Sequence, residues 1–415
     1  MRQLKSASFE FYEPDQIEQA TVVEQLVSLT RSAEVKAGGE AWTCAWAPDN
    51  SYFAWSSGHH ILHLIPWDCE KGKRHSPSDN EGLKNRRFHI IDCGENIWSV
   101  AFGSGVSHRE TSCSFYRHCH FDENLIVATG LANGRINLWN CFTGALIIDL
   151  LDHRDAVRCL DFTKDGTLQL LSASHDGSLK LWDLPNEGNL YTTFKSPTCK
   201  SVCGCCFSPN AHFIAAVGSC KMVYLWTNAK MNSQPHKLDG HHNEVVSCDF
   251  SPDSALLITA AFDTKVIVWD TYTLQKIWAF GHMHPSPRLI FAGGANDHYV
   301  RSVTFCKNGL IVASVCDDGY VRFWNIADLG DPVAIARVDE PLSCQFSPNG
   351  SVLAVGLRSG DVMFLSASQT APSLLQLSRQ VIRKQTSSGH VTSLPIPKML
   401  IGYVNYCDLL QQRLT

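Results

Sequence analysis

Tryptophan recurs through the middle of this 415-residue chain at a nearly constant interval of 43, 44 and 43 residues. The series, with one flanking tryptophan on each side, is Trp67, Trp139, Trp182, Trp226, Trp269 and Trp324. A fixed period of this length is typical of repeat architectures, in which each unit is one small supersecondary element packed on its neighbours. The repeat therefore predicts an array of similar units.

A second motif recurs upstream of these tryptophans. It reads Phe207-Ser-Pro-Asn210, Phe250-Ser-Pro-Asp253 and Phe346-Ser-Pro-Asn-Gly350, and each copy supplies turn-forming residues directly after an apolar run. A run of small residues such as Leu257–Ala261 follows, then a turn with aspartate, then an apolar run that ends in tryptophan. This order predicts short β-strands at even spacing.

The segments Leu179-Lys-Leu-Trp-Asp183 and Val266-Ile-Val-Trp-Asp270 resemble the signature of the WD repeat, in which four strands form one propeller blade. Seven units can be counted between residues 41 and 367, and the seventh has Leu365 in place of tryptophan. The resemblance implies an all-β fold, a seven-bladed WD-repeat β-propeller over residues 41–368.

The resemblance also implies a hydrogen-bonded series of four side chains within a blade. In the third unit it would comprise His153, Ser172, Asp176 and Trp182, and in the fifth His241, Thr259, Asp263 and Trp269. A His–Asp–Ser set could also indicate a hydrolytic triad. Because the set repeats with the blades, whereas a catalytic site is built once, we interpret these residues as structural and expect no catalytic residue.

The N-terminal segment, residues 1–40, is predicted to close the ring. Propellers of this type usually complete the last blade with a strand from the N-terminus, which removes a free sheet edge. The apolar run Thr21–Thr30 is the natural candidate, although part of it is also compatible with a helix.

Charge, apolar content and cysteine count limit the kinds of partner and the cellular compartment that we expect. The net charge is −5, which argues against nucleic acid as a partner because binding its backbone requires a basic face. No stretch is apolar enough for a signal peptide or a membrane helix, so we expect no membrane insertion. The 17 cysteines are odd in number and irregularly spaced, which favours reduced thiols in an intracellular protein, cytoplasmic or nuclear.

Three insertions interrupt the even spacing, at residues 68–88, 103–123 and 281–299. The first is polar and basic and favours a solvated loop, with a localisation or partner signal as the alternative. The second contains residue types that can bind zinc, but their spacing fits no common finger, so no metal site and no cofactor are predicted: Cys113, His118, Cys119 and His120. The third is a candidate recognition loop.

The last segment, residues 372–415, shares nothing with the repeat. Ser373 can cap a helix in which Leu374, Leu377, Val381 and Ile382 share one apolar stripe. Two prolines then exclude a helix at residues 394–397, and residues 398–410 are compatible with a second helix.

This tail is similar to the SOCS box. The resemblance implies that Leu374, Leu377, Ser378 and Ile382 bind elongin C, and that Leu394, Pro395, Ile396 and Pro397 form a cullin box of the cullin-5 type. The family has cysteine where this chain has Ser378. A buried hydroxyl without a hydrogen bond would cost roughly 1–3 kcal/mol, so elongin binding weaker than typical is expected.

The order of a WD propeller and a SOCS box is the layout of the WD repeat and SOCS box-containing protein family, which nearly the whole chain resembles. That family implies a non-catalytic substrate receptor of a ubiquitin ligase. Its partners would be elongin C with elongin B, cullin-5 with its RING subunit, and an unidentified target protein on the propeller face. The alternative is a scaffold that assembles signalling proteins without their degradation.

Overall fold

A computed structural model describes most of the repeat region and most of the tail. The described residues are 18–26, 40–57, 60–68, 73–74, 88–104, 125–185, 188–195, 199–227, 234–282, 299–327, 330–366, 373–385, 391 and 393–406. The zinc-type residues, Cys113, His118, Cys119 and His120, lie outside these ranges, as does most of the basic insertion and of the third insertion.

The strands of this part of the chain are short and follow the predicted spacing. The N-terminal segment and first two units contain β1 (Glu18–Gln19), β2 (Val22–Leu26), β3 (Cys44–Trp46), β4 (Tyr52–Ser57), β5 (Ile61–Asp68), β6 (Lys73–Arg74), β7 (His89–Asp92), β8 (Ile97–Ser104), β9 (Leu125–Leu131), β10 (Arg135–Asn140) and β11 (Leu146–Leu151). The third and fourth units contain β12 (Val157–Phe162), β13 (Gln169–Ser174), β14 (Ser178–Asp183), β15 (Asn189–Lys195), β16 (Val202–Phe207), β17 (Phe213–Gly218), β18 (Val223–Thr227) and β19 (His236–Leu238).

The fifth to seventh units consist of strands, and the tail contains two helices. They contain β20 (Val245–Phe250), β21 (Leu256–Ala261), β22 (Lys265–Asp270), β23 (Lys276–Gly281), β24 (Val300–Phe305), β25 (Ile311–Cys316), β26 (Tyr320–Asn325), β27 (Ala334–Arg337), β28 (Pro341–Phe346), β29 (Val352–Leu357) and β30 (Val362–Ser366). Two helices follow, α1 (Leu374–Gln385) and α2 (Lys398–Val404).

These strands form seven sheets, and the first strand of each unit packs against the first strand of the next. The contact between β28 and β3 joins the seventh sheet to the first, so the ring is closed. The predicted fold, a seven-bladed β-propeller followed by a small helical region, is confirmed.

The N-terminal strands lie on the outside of the last two blades. β2 pairs antiparallel with β30 and is the fourth strand of the seventh blade. β1 pairs parallel with β27 in the sixth blade. β2 lies inside the run from which a closing strand was expected, and residues 27–30 of that run are outside the described residues. The pairing gives β30 a hydrogen-bonded neighbour on its outer side, so the third strand of the last blade is not an unpaired sheet edge.

The core lies between neighbouring blades. All six residues of β21 are buried, because both faces of a middle strand pack against other blades. The repeating tryptophans fill these interfaces; Trp269, for example, is 1% exposed. In the seventh blade Leu365 takes the corresponding place and is fully buried. A leucine therefore fills the position without loss of the blade.

The cysteines differ from expectation at one pair. Cys199 and Cys220 form a disulfide in the fourth blade, where reduced thiols were expected. Their Cα atoms are 5.0 Å apart, within the range that a disulfide can bridge. Among the other cysteines that the structure describes, eleven are free thiols.

His63 in the first blade is a buried base with an altered pKa. Its ring stacks on Trp55 with centroids 4.5 Å apart, and neither ring nitrogen has a hydrogen-bond partner among the described residues. Burial lowers the pKa of His63 from 6.5 to about 4, because the site solvates the imidazolium poorly. The neutral ring is therefore the form that the folded blade holds.

This burial predicts an acid-sensitive blade. Below pH 6.5 the unfolded chain binds a proton at His63 that the folded chain does not bind until about pH 4, so folding stability falls as the pH falls through this window. We expect His63→Phe, which keeps the stacked ring, to reduce the loss of unfolding free energy between pH 7 and pH 5 by roughly 2 kcal/mol. Denaturant unfolding at both pH values measures it; identical pH dependence in both proteins would contradict it.

Candidate functional site

Helix α1 begins at a reciprocal cap. The Ser373 hydroxyl accepts a hydrogen bond from the backbone N–H of Gln376 at 3.3 Å, and the Gln376 side chain accepts one from the backbone N–H of Ser373 at 2.8 Å. This arrangement is a capping box, which satisfies two backbone donors at a helix start. The cap fixes the helix start directly before Leu374.

One face of α1 is cationic and packs inward. Arg379 and Arg383 are both buried. The Arg379 guanidinium lies 3.5 Å from the ring centroid of Tyr403 and 4.2 Å from that of Tyr406, so α1 and the segment around α2 are joined by cation–π contacts. Arg383 donates to the side-chain oxygen of Asn405 at 3.3 Å.

Tyr406, after α2, and Gln380, on α1, hold the tail against the fifth and sixth blades. The Tyr406 hydroxyl donates to the Asp253 carboxylate at 2.5 Å, and the Tyr406 ring belongs to the apolar cluster between these blades. Gln380 donates to the backbone carbonyl of Asn308. Burial and the Asp253 charge raise the pKa of Tyr406 well above its usual value, so its hydroxyl stays protonated and able to donate.

The other face of α1 is apolar and exposed. Leu374 is 83% exposed, Leu375 51%, Leu377 42% and Val381 53%, whereas Ile382 is half-buried. Four large aliphatic side chains on one short helix form a patch that soluble surfaces seldom leave uncovered. The structure therefore places Leu374 and Leu377 together on a free surface, with Ile382 at its margin.

Ser378 lies on the exposed side of α1, and its hydroxyl donates to the backbone carbonyl of Leu374 at 2.8 Å. A serine in a helix can satisfy its hydroxyl in this way without any other partner. The free-energy cost of burying the Ser378 hydroxyl is therefore smaller than the cost of burying a hydroxyl without a hydrogen bond, because this group is already satisfied within the helix.

The segment Leu394–Pro397 forms the turn before α2. Pro395 and Pro397 are exposed, and Leu394 and Ile396 are half-buried. The backbone N–H groups of Leu400 and Ile401 donate to the Pro397 carbonyl at 2.9 and 3.1 Å, which starts α2. This segment is therefore on backbone separate from that of α1.

The two predicted four-residue series are assembled within their blades. In the fifth blade His241 bridges Asp263 at 3.0 Å and Thr259 at 2.7 Å, and the Trp269 indole donates to Thr259 at 2.8 Å. In the third blade His153 bridges Asp176 at 2.9 Å and Ser172 at 2.8 Å, and the Trp182 indole donates to Ser172 at 2.9 Å.

In both blades the hydrogen bonds to the aspartate lower its pKa by more than burial raises it. Burial alone would raise the pKa of Asp263, but the hydrogen bond from His241 and two backbone N–H groups lower it, and Asp176 behaves in the same way. Each series links strands within one blade, and His153 and His241 are both buried.

Other blades carry variants that the sequence interpretation did not identify. In the sixth blade His282 contacts Ser314 at 2.9 Å, and Trp324 donates to the same hydroxyl. In the fourth, Cys220 lies six residues before Trp226, the spacing that separates Asp263 from Trp269, and its partner is Cys199. The disulfide therefore replaces a His–Asp contact. Counting back ten residues from Trp324 could have found Ser314, at the spacing that separates Thr259 from Trp269, but the insertion before the sixth blade displaces His282 from its expected spacing.

The first strands of the blades surround a central channel with a cavity of about 300 Å³. In six of them the second residue is a β-bulge that opposes no residue of the neighbouring strand, and each bulged residue lines the cavity. We call these six residues the bulge ring: Trp98, Arg158, Cys203, Val246, Arg301 and Leu342. A bulge re-aims its side chain, which is why these residues line the channel.

Two features are absent from the described residues. No group of three or more His, Cys, Asp or Glu side chains is placed to hold a metal ion there. Neither described helix is long and apolar enough to cross a membrane.

Comparison with known proteins matches both parts of the chain. The family profile described as "WD domain, G-beta repeat" matches residues 144–183, 188–227, 232–270 and 290–325, and the profile described as "SOCS box" matches residues 370–405. The chain is 42% identical to WD repeat and SOCS box-containing protein 1 of Mus musculus, covering 94% of this chain and 97% of that protein. The proteins of the same name from Homo sapiens and Danio rerio are also 42% identical, covering 92% and 95% of this chain and 95% and 98% of theirs.

Proposed function

The chain belongs to the WD repeat and SOCS box-containing protein family, and on that basis we propose that it is the substrate-recognition subunit of an elongin BC–cullin-5 ubiquitin ligase. The propeller would capture a target protein, and the tail would dock it to elongin C with elongin B and to cullin-5 with its RING subunit. The outcome would be ubiquitination and degradation of the target. The family points to an adaptor or receptor rather than a catalytic protein.

The exposed apolar face of α1 is the observation that carries this proposal. The helix buries its arginine face against its own chain and leaves Leu374, Leu377 and Val381 in solvent. A helix of about three turns with such a stripe is suited to a hydrophobic groove on a partner. Burying one leucine there contributes about 1.5–3 kcal/mol, so each of these side chains would be a substantial anchor for a partner.

The proposed mechanism is proximity. A target held by the propeller and a ubiquitin carrier held by the cullin become parts of one assembly, so a bimolecular encounter becomes effectively intramolecular. The docked tail supports this, because Tyr406 and Arg379 fix α1 on the propeller instead of leaving it on a loose tether. The chain itself would supply no reacting group.

In this proposal the proline-rich turn, residues 394–397, binds cullin-5, and α1 binds elongin C. We expect the double change Leu394→Ala and Pro395→Ala to weaken cullin-5 binding by roughly 1–2 kcal/mol, since the Leu394 side chain and the turn fixed by Pro395 are lost. Elongin C binding should be unchanged, because the apolar stripe of α1 is on other backbone. Titration of the purified elongin complex with and without cullin-5 separates the effects; equal loss of both partners would contradict the division.

The turnover of captured proteins distinguishes a receptor from a scaffold. Proteins that co-purify with the propeller should have longer lifetimes when the chain ends at Ala371 than when it is complete. Lifetimes that are equal in the two cases would favour the scaffold alternative. A pulse–chase measurement on the co-purified proteins, with proteasome inhibition as a control, tests this.

A further inference from the structure

The bulge ring combines cationic and apolar side chains at one mouth of the channel. Arg158 lies over the indole of Trp98, with its guanidinium carbon 4.0 Å from the ring centroid. Trp98 in turn contacts Trp42, with centroids 5.0 Å apart. All three side chains are half-buried and line the cavity. They form one continuous surface of two indoles and a guanidinium.

Arg158 has no carboxylate partner among the described residues. The titratable groups that interact with its charge include the thiols of Cys159 and Cys203, a second guanidinium, Arg301, and the imidazole of His175. Burial raises the pKa of the Cys203 thiol, so this neighbour stays neutral. A half-buried cation with an aromatic face behind it and an open cavity in front is poised to bind an anion.

Two acidic side chains near this mouth, Asp317 and Glu40, already have partners. Arg301, the other arginine of the bulge ring, pairs with both carboxylate oxygens of Asp317 at 2.7–3.0 Å. Glu40 accepts from the Trp42 indole at 3.1 Å and lies 3.7 Å from Arg358. The contrast between Arg301 and Arg158 shows that this face supplies a bidentate carboxylate to one arginine of the ring and none to the other.

This mouth is on the face of the propeller away from the tail. The bulge ring is at the start of the inner strands, whereas the tail contacts Asn308 and Asp253, which follow the ends of two of those strands, β24 and β20. A target bound at the ring would therefore leave α1 and its apolar stripe accessible. One chain can hold both partners without competition between them.

We propose that the bulge ring is the target-recognition site, and that Arg158 binds an acidic side chain of the target protein while Trp98 and Trp42 pack against an adjacent apolar residue. The proposal rests on the proposed function, since it assigns the class of segment that the receptor captures. The shared chemistry is an anionic oxygen group, from Asp or Glu or from a phosphorylated residue. A guanidinium receives either through paired N–H···O bonds.

Four fluorescein-labelled peptide pools test this on the full chain. Each pool has the form Gly-Xaa-Xaa-Zaa-Xaa-Xaa-Gly, in which Zaa is Asp, Glu, phosphoserine or Asn and Xaa is any residue except Asp, Glu and Cys. Fluorescence polarisation should show at least one acidic pool binding about ten- to a hundred-fold more tightly than the Asn pool. The tightest pool identifies the source of the anion, carboxylate or phosphate.

Variants assign the preference to Arg158. Arg158→Gln should abolish it and Arg158→Lys should weaken it. Arg154→Gln is the matched control, an exposed arginine four residues earlier, and should leave it intact. Thermal unfolding establishes that each variant is folded. No acidic preference in the wild type, no detectable binding of any pool, or a preference that survives in Arg158→Gln would overturn the proposal.

Elongin C binding, measured on the same samples, separates this proposal from the ligase role. It should be equal in all these variants, because α1 is on the other face. Loss of the acidic preference with elongin binding intact confines the defect to the bulge ring. A wild-type chain that selects acidic peptides but does not bind elongin C would refute the ligase role and retain the recognition site.

Discussion

Replacing Leu374 by aspartate should weaken elongin C binding by at least ~3 kcal/mol, about a hundred-fold or more. The substitution removes the most exposed aliphatic side chain of the α1 stripe, 83% exposed, and requires a carboxylate to enter an apolar groove. Leu374→Ala should have a smaller effect, roughly 1–3 kcal/mol, because only the buried aliphatic contact is lost. Calorimetric titration with purified elongin B–elongin C complex measures both.

The matched control is Leu151→Ala, at a leucine on the outer strand of the second blade that is 62% exposed. It removes the same side chain at comparable exposure but away from the tail, and elongin C binding should be unchanged. Neither Leu374 variant should alter the melting temperature, since the wild-type side chain is in solvent. Wild-type affinity in Leu374→Asp would show that α1 is not the elongin-binding helix.

Replacing Tyr406 by alanine should release the tail from the propeller. Tyr406 is buried in the cluster between the fifth and sixth blades, and the change removes its ring, its hydrogen bond to Asp253 and its contact with Arg379. Losses of this kind cost about 3–5 kcal/mol for large aromatic residues. Hydrogen–deuterium exchange should therefore show faster exchange across residues 373–385 and 393–406 with little change in the blades.

Two further variants test whether release of the tail depends on the Tyr406 ring and its hydroxyl. Tyr406→Phe should lose only the hydrogen bond to Asp253, so protection of the tail should fall by less. Tyr191→Ala, at a tyrosine that is 61% exposed on β15, should leave it unchanged. Elongin C binding should persist in Tyr406→Ala, because the apolar stripe does not depend on docking. Equal protection of the tail in Tyr406→Ala and wild type would contradict the docking described for α1.

Much of the architecture could be predicted from local sequence. The tryptophans mark the third strand of each blade because a large ring is needed where neighbouring blades meet, and Leu365 shows that an aliphatic residue can serve there. Ser373 could be placed as a helix cap because capping depends on residues within one turn. The start of α2 followed from Pro397, since proline is compatible with the start of a helix but not with its interior.

The orientation of α1 could not be predicted in this way. An apolar stripe usually packs on the protein's own core, yet here the buried face carries Arg379 and Arg383, which find the rings of Tyr403, Tyr406 and Tyr272. Those contacts join residues distant in sequence, so no periodicity reveals them. The hydrogen bond of Ser378 and the disulfide of the fourth blade likewise depend on three-dimensional placement.

The most direct test of the central claim compares the full chain with a chain that ends at Ala371. Both are immobilised at equal amounts and incubated with purified elongin B–elongin C complex and cullin-5, with thermal unfolding as the check that the shortened propeller is folded. We expect both partners to bind the full chain and neither to bind the shortened one. Binding to neither chain, or equal binding to both, would contradict the assignment of the tail as the ligase-docking segment.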